Sequence, residues 1–208
     1  IIDSILYRIS DSAVYHLVKL DQKNSLIKEG QRYREDDFSQ ERERLDLVMK
    51  DNGYYDFSRQ YIDFDVDTSM LSNKKVAVMI TIRDPARRGH HKQFIIDSVR
   101  FITDAGVTLP GVERSRRRYR DVEYRYYQDT YNLKVLGTRV FLYPDNLYSR
   151  TKTFETQRQL ANLDAFKFVN INYDSSGGKF IANIFTSALD RYEWSNEIGV
   201  NVTEGYPG

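Results

Sequence analysis

One order of features occurs twice along these 208 residues, and it limits the fold more than any compositional figure does. An apolar pair, a turn residue and a tyrosine (Leu26-Ile27, Gly30, Tyr33) return at identical spacing as Phe141-Leu142, Asp145 and Tyr148. Each set leads into an amphipathic helix. The helix stops at Gly53-Tyr54-Tyr55-Asp56-Phe57 in the first half and at Asp164-Ala165-Phe166-Lys167-Phe168 in the second. An alternating strand, a turn and another alternating strand follow in both. The period, about 110 residues, is too long for a solenoid and suits a tandem of small domains.

In chain order, residues 1–9 alternate Ile5, Tyr7 and Ile9 against Ser4, Leu6 and Arg8, which reads as a strand. Asp11-Ser12 offers an N-cap for a short helix carrying Val14, Leu17 and Val18. The next helix opens with Asp36 and Asp37, which suit its dipole. It places Phe38, Leu45, Val48 and Met49 on one face and Glu41, Arg42, Glu43 and Arg44 largely on the other. Gly53 accepts the left-handed conformation of a helix C-terminus, and the two tyrosines after it are expected to wedge the helix against the sheet. Residues 59–67 read as a strand with Ile62, Phe64 and Val66 on one side and Tyr61, Asp63, Asp65 and Asp67 on the other. A polar turn over 69–73 leads to a second strand over 74–83, so the two form an antiparallel hairpin.

The second unit is expected to repeat this. Residues 94–103 form a strand whose phase changes near Asp97-Ser98, and residues 105–131 form a long polar insertion. Leu133, Leu136 and Val140 fall at helical spacing after an Asp129 or Thr130 cap, and a helix capped by Ser149 carries Phe154, Leu160 and Leu163. Val169, Ile171 and Tyr173 alternate into a strand, Ser175 to Gly178 make a hairpin turn, and 179–186 close the unit. The fold class is therefore α+β: tandem βααββ units, each a three-stranded mixed sheet with two helices on one face. The divisions are 1–86, a basic linker 87–92, 93–189, and a tail 190–208.

Lys and Arg number 31 against 30 Asp and Glu, so no global field steers the chain to nucleic acid or membrane. The absence of cysteine removes thiol catalysis and disulfides. No run approaches the roughly 20 apolar residues of a spanning helix. The chain opens on Ile1 rather than Met, and reads as a piece of a longer protein. His90-His91 would be the first metal candidate, but adjacent side chains on an extended linker point apart, so a solvated linker is expected. Asp63, Asp65 and Asp67 share a strand face without the glycine and distal glutamate of a calcium loop. No nucleophile–base pairing or phosphate loop is present. No catalytic residue, metal or cofactor is expected, and the chain does not read as an enzyme. Arg114, Arg116, Arg117, Arg118 and Arg120 interleave with Tyr119, Tyr124, Tyr126 and Tyr127. A solvated loop, contact with a membrane surface or partner, and a single-stranded nucleic-acid site all fit that run.

The repeated unit resembles the POTRA (polypeptide-transport-associated) domain of outer-membrane barrel-assembly proteins and their translocation-and-assembly-module (surface antigen) relatives, particularly Bacteroidetes-like versions. The residues that carry it are Glu41-Arg42 with Gly53-Tyr54-Tyr55-Asp56-Phe57, then Leu147-Tyr148-Ser149, Thr156-Gln157, Leu160, Leu163 and Phe166-Lys167-Phe168-Val169-Asn170-Ile171. Asp145-Asn146 and Asp164-Ala165 depart from the glycine and Gly-Tyr usual there. The resemblance implies a non-catalytic module at the periplasmic face of the outer membrane. It would hold unfolded outer-membrane proteins, or accessory periplasmic proteins or lipoproteins, by β-augmentation. The edge it implies is the second strand of each unit: Tyr61, Ile62, Asp63, Phe64, Asp65 and Val66, and Val169, Asn170, Ile171, Asn172 and Tyr173. Arg116, Arg117, Arg118 and Arg120 would contact the outer-membrane surface or a partner. Residues 194–203 alternate weakly and look like the lead-in to the first strand of a C-terminal β-barrel beyond this chain. The alternative from another class is a nucleic-acid-binding tandem using the Arg/Tyr insertion; a third is a structural spacer.

Overall fold

The computed structural model describes residues 1–68 and 75–189; the turn expected at 69–73 and the tail 190–208 lie outside them. The first unit runs β1 (Ile2–Ile9), α1 (Ser12–Leu20), α2 (Glu35–Asp51), β2 (Ile62–Asp67) and β3 (Val76–Ile82). Its sheet has the order β1-β3-β2, with β1 parallel and β2 antiparallel to β3. Val76, Val78, Ile80 and Ile82 point from the central strand into a core that also takes Val14 and Val18 of α1 and Phe38, Leu45 and Met49 of α2. Asp11 caps α1 by accepting from the amides of Ala13 and Val14. β2 starts three residues later than its alternation suggests. Residues 59–61 form a 3-10 turn capped by Ser58, and Tyr61 lies in that turn, not in the strand.

The second unit runs β4 (Ser98–Ile102), β5 (Ser115–Tyr119), β6 (Val122–Tyr126), α3 (Leu133–Gly137), α4 (Arg150–Ala161), β7 (Phe166–Asp174) and β8 (Ile181–Ala188). The polar stretch at 105–131 is not a loop: it supplies the β5–β6 hairpin and makes the second sheet five-stranded, in the order β5-β6-β4-β8-β7. β4, β8 and β7 pair as β1, β3 and β2 do, and β6 adds in parallel on the far side of β4. The alternation of Val122, Tyr124 and Tyr126 is the strand signal, masked by six arginines nearby. Tyr124 is fully buried and stacks on Phe101 at 5.3 Å. The cap of α3 is Asn132, not Asp129 or Thr130. In α4 Phe154 lies exposed, and Thr156 takes the buried position.

The two departures from glycine keep glycine's backbone. Gly30 has φ 84° and its counterpart Asp145 63°; Gly53 has 95° and its counterpart Asp164 50°. Aspartate is among the few residues with a side chain that tolerate this region. A second equivalence lies inside α2 and α4. Glu41 was expected on the polar face, yet it is buried and accepts from the Leu26 amide (2.8 Å), the Ser25 hydroxyl (2.9 Å) and Arg44. Thr156, in the matching place, accepts from the matching amide, Phe141, at 3.0 Å. A helix side chain therefore pins the apolar pair in both units. In urea titrations Glu41→Ala should lose about 3 kcal/mol, because the buried Ser25 hydroxyl, the Leu26 amide and Arg44 lose their acceptor. Thr156→Val should lose about 1–2 kcal/mol; losses within error for both would contradict this role.

Candidate polypeptide-binding interface

Four strands lie at sheet edges: β1 and β2 in the first unit, β5 and β7 in the second. They are not equally open. The Gly30-Gln31 turn covers the start of β1, where Gln31 accepts from the Ile2 amide (2.9 Å) and Gly30 donates to the Ile2 carbonyl (2.8 Å), and the Glu29 carboxylate accepts from the Ile5 amide. β4, the counterpart of β1, is covered by the β5–β6 hairpin. That hairpin exposes β5 instead, whose Arg116, Arg117 and Arg118 are solvent-facing; charged side chains are a common guard on such edges.

Among the described residues β2 and β7 carry neither device. Arg83 donates from its amide to the Tyr61 carbonyl, which marks that opposite pair as a hydrogen-bonded position of the ladder, while the Tyr61 amide donates to Ser58 in the preceding turn. The alternation of an antiparallel ladder then turns Asp63 and Asp65 toward β3 and leaves the amides and carbonyls of Ile62, Phe64 and Val66 pointing outward. In β7 a register shift at 166/168 precedes the same outcome. The Val169 carbonyl accepts from Gln157 of α4 (2.9 Å), which sets Val169, Ile171 and Tyr173 outward and Asn170 and Asn172 toward β8. Arg42 of α2 makes the corresponding bond to the Ile62 carbonyl (3.2 Å). Each edge thus has its first outward carbonyl held by its own helix. Among the described residues nothing else hydrogen-bonds the outward groups of Phe64, Val66, Ile171 or Tyr173. Of the eleven residues expected at the edges, six present backbone outward; Tyr61 packs its ring on Phe57 and His91.

The linker is solvent-exposed except at His91, which docks it on the first unit. His91 is buried among Tyr54, Phe57 and Tyr61, its amide donates to Asp11, and its Nε2 lies 3.1 Å from the Arg83 carbonyl. His90 is exposed, and among the described residues no cluster of three or more potential ligands could hold a metal. Asp63 pairs with Arg83 at 2.6 Å.

Sequence reasoning missed the joint between the units. Tyr54 enters the first core, but Tyr55 turns away into an aromatic cluster of the second unit, with ring centroids 5.0 Å from Tyr148, 5.1 Å from Phe180, 5.4 Å from Tyr173 and 5.7 Å from Phe94. Tyr54 packs within its own unit as expected, whereas Tyr55 wedges between the units. The Gly53 carbonyl accepts from the Phe94 amide at 2.8 Å, and a Cβ on Gly53 would lie 2.9 Å from Leu147. Asp51, the last residue of α2, accepts from Ser149 Oγ (2.9 Å), the Thr151 amide (2.8 Å) and Thr151 Oγ1 (2.6 Å), so it caps α4 from the other unit. Arg150 reaches back to buried Asp46 at 3.3 Å. An aspartate at the end of a helix opposes that helix's dipole, and this local conflict was the available signal.

Comparison with solved structures decides the fold. The chain is similar to a BamA structure from Haemophilus ducreyi lacking POTRA domains 1–3, at 10% identity and TM-score 0.60, with 90% of this chain and 29% of that one covered. The fold is that of POTRA domains. The chain thus spans under a third of that BamA. It is also similar to POTRA domains 3–5 of Haemophilus influenzae BamA (11% identity, TM-score 0.35, 89% and 95% covered). A third likeness is to POTRA domains 1–2 of Omp85 from Anabaena (10%, 0.39, 91% and 97%). No protein-family model matches, and no curated protein does.

On this POTRA fold the arginine run and its tyrosines are divided between the hairpin base, the exposed edge and the core. Arg114 is absorbed at the hairpin base by Asp104 at 2.7 Å and covers Tyr127 at 4.4 Å; Tyr124 is in the core, and Tyr119 packs beside Gly137. In the joint, burial pushes the Tyr148 hydroxyl up to about 12, and burial likewise raises Tyr173, whose hydroxyl meets Thr153. An unfolded tyrosine loses its proton near 10.0. Between these values the unfolded chain ionises first, so the stability from Tyr148 is full below the unfolded value and disappears as pH rises through about 12. Urea midpoints should therefore fall between about pH 9 and about pH 11.5, and less steeply in Tyr148→Phe; parallel profiles would contradict the assignment.

Proposed function

We propose that this chain is a periplasmic polypeptide-binding module of an outer-membrane protein assembly or translocation factor, holding unfolded barrel precursors or accessory proteins and lipoproteins by β-augmentation. The observation that supports this best is the unequal treatment of the four edges. The start of β1 is covered by a turn, β5 is lined with arginine, and among the described residues the equivalent strands β2 and β7 are left open. An unfolded barrel segment carries backbone donors and acceptors that must be paired before they reach lipid. An open edge pairs them without demanding a side-chain sequence. Ile62, Phe64 and Val66, and Val169, Ile171 and Tyr173, turn side chains toward the core while their backbone faces out, so the client meets main chain first. Asp63, Asp65, Asn170 and Asn172 line the opposite sheet face and keep the vacant edge soluble. The module has no catalytic step and needs no cofactor. Its place is the periplasmic face of the outer membrane, held by the chain's own C-terminal barrel, to which residues 190–208 would lead. Among the described residues no helix is long and apolar enough to cross a membrane.

Titration of a short alternating barrel-strand peptide into isotope-labelled protein tests the proposal. Amide shifts should concentrate on Phe64, Val66, Ile171 and Tyr173, and a peptide N-methylated at alternate residues should lose binding. Shifts confined to the helices or to β5, or equal binding by the methylated peptide, would refute β-augmentation.

A further inference from the structure

The segment entering β5 places apolar side chains on the surface. Loop 106–112 reads Gly-Val-Thr-Leu-Pro-Gly-Val, with no charged residue, although it was expected to belong to a polar insertion. Val107, Leu109 and Val112 are 46%, 43% and 54% exposed. The loop is nonetheless built. Asp104 accepts from Arg114 Nε (2.7 Å) and from the Tyr127 amide (2.6 Å), while Arg114 also donates to the Val107 carbonyl (2.6 Å) and covers Tyr127. The Val112 amide closes a turn on the Leu109 carbonyl at 3.2 Å. These bonds fix the base of the loop, while Val107, Leu109 and Val112 each keep about half of their surface exposed. A fixed apolar loop at the surface is a contact surface for an apolar partner.

Its position in the fold names what. β4 and β8 run parallel, and their approaches at Phe94 and Phe180 meet Tyr55 of the first unit. Loop 106–112 leaves the opposite end of these strands, roughly 25 Å away at strand rise. There Ala105 donates to the Thr186 carbonyl and Gly106 faces Ser187, whose Oγ would lie 3.3 Å from a Cβ. Leu189, after which 19 residues remain, lies at that same end, as does exposed Phe168. Beside the loop, Arg116, Arg117 and Arg118 pair only with exposed carboxylates of Glu113 (4.0 Å), Asp129 (3.6 Å) and Asp121 (3.2 Å). Such pairs are weak and exchange readily for phosphate.

We propose that this end of the second unit faces a phospholipid surface, with Val107, Leu109 and Val112 seated at the headgroup–acyl boundary and Arg116 and Arg118 on lipid phosphates. The proposal rests on the outer-membrane reading for which membrane is met, but not for the contact itself. Apolar burial is the main term because neighbouring charges nearly balance, and the arginines add a preference for anionic headgroups.

The test is flotation of the 208-residue chain with vesicles of phosphatidylethanolamine, with and without phosphatidylglycerol. The chain should float with both and more with the anionic set. Combined Val107→Ser, Leu109→Ser and Val112→Ser should cut partitioning about tenfold or more, with an unchanged melting curve because the side chains are exposed. Arg116→Glu with Arg118→Glu should erase the anionic preference only. No flotation, or equal flotation of the serine variant, overturns the proposal. So does sedimentation showing that the loop drives self-association without vesicle binding. Edge-strand peptide titration of the serine variant separates the readings: unchanged peptide shifts with lost flotation confirm lipid contact independently of client binding.

Discussion

The five residues that end α2 hold the two units together, and much of the arrangement depends on how their directions alternate. Asp51 reaches out to the N-terminus of α4, Tyr54 turns into the first core, and Tyr55 turns out into the aromatic cluster of the second unit. Gly53 makes this sequence of directions available. Its positive φ ends the helix, its carbonyl takes the Phe94 amide, and its missing side chain leaves room for Leu147. Any other residue there meets a backbone penalty and has to displace the end of the Leu147 side chain. One short segment thus closes a helix, seals a core and fixes a neighbour.

Edge management follows a consistent physical logic. An unpaired strand edge invites aggregation, and a protein that keeps one open must protect the others. Here a turn covers β1, a hairpin covers β4, and the replacement edge carries three successive arginines. The openness of β2 and β7 is therefore selective. Arg42 and Gln157 secure the first outward carbonyl of each and leave the rest vacant, which sets where an incoming strand could begin.

Much of this was legible in the sequence because the repeat is carried by local physics. Helix periodicity, caps at Asp11 and Ser149 and alternating strands all act over a few residues, and even Asp145 and Asp164 substitute for glycine with a positive φ. What was missed depends on partners distant in sequence. Glu41 reads as a surface residue until the Leu26 amide is seen behind it. Phe154 reads as core at helical spacing, but the second sheet lies under Leu160 and Thr156 instead. The β5–β6 hairpin was hidden by charge, since an edge strand may carry arginine on every residue and still pair. The joint left one trace, an aspartate at the wrong end of its own helix.

The central claim is that Asp51, Gly53 and Tyr55 make one body of two POTRA units, so that the two open edges hold a fixed relation. Residual dipolar couplings from the backbone amides of both units measure this directly. A single alignment tensor should fit both in the wild type, and Tyr55→Ala combined with Asp51→Ala should split it while each core stays folded. Two tensors of different magnitude in the wild-type chain would contradict the account.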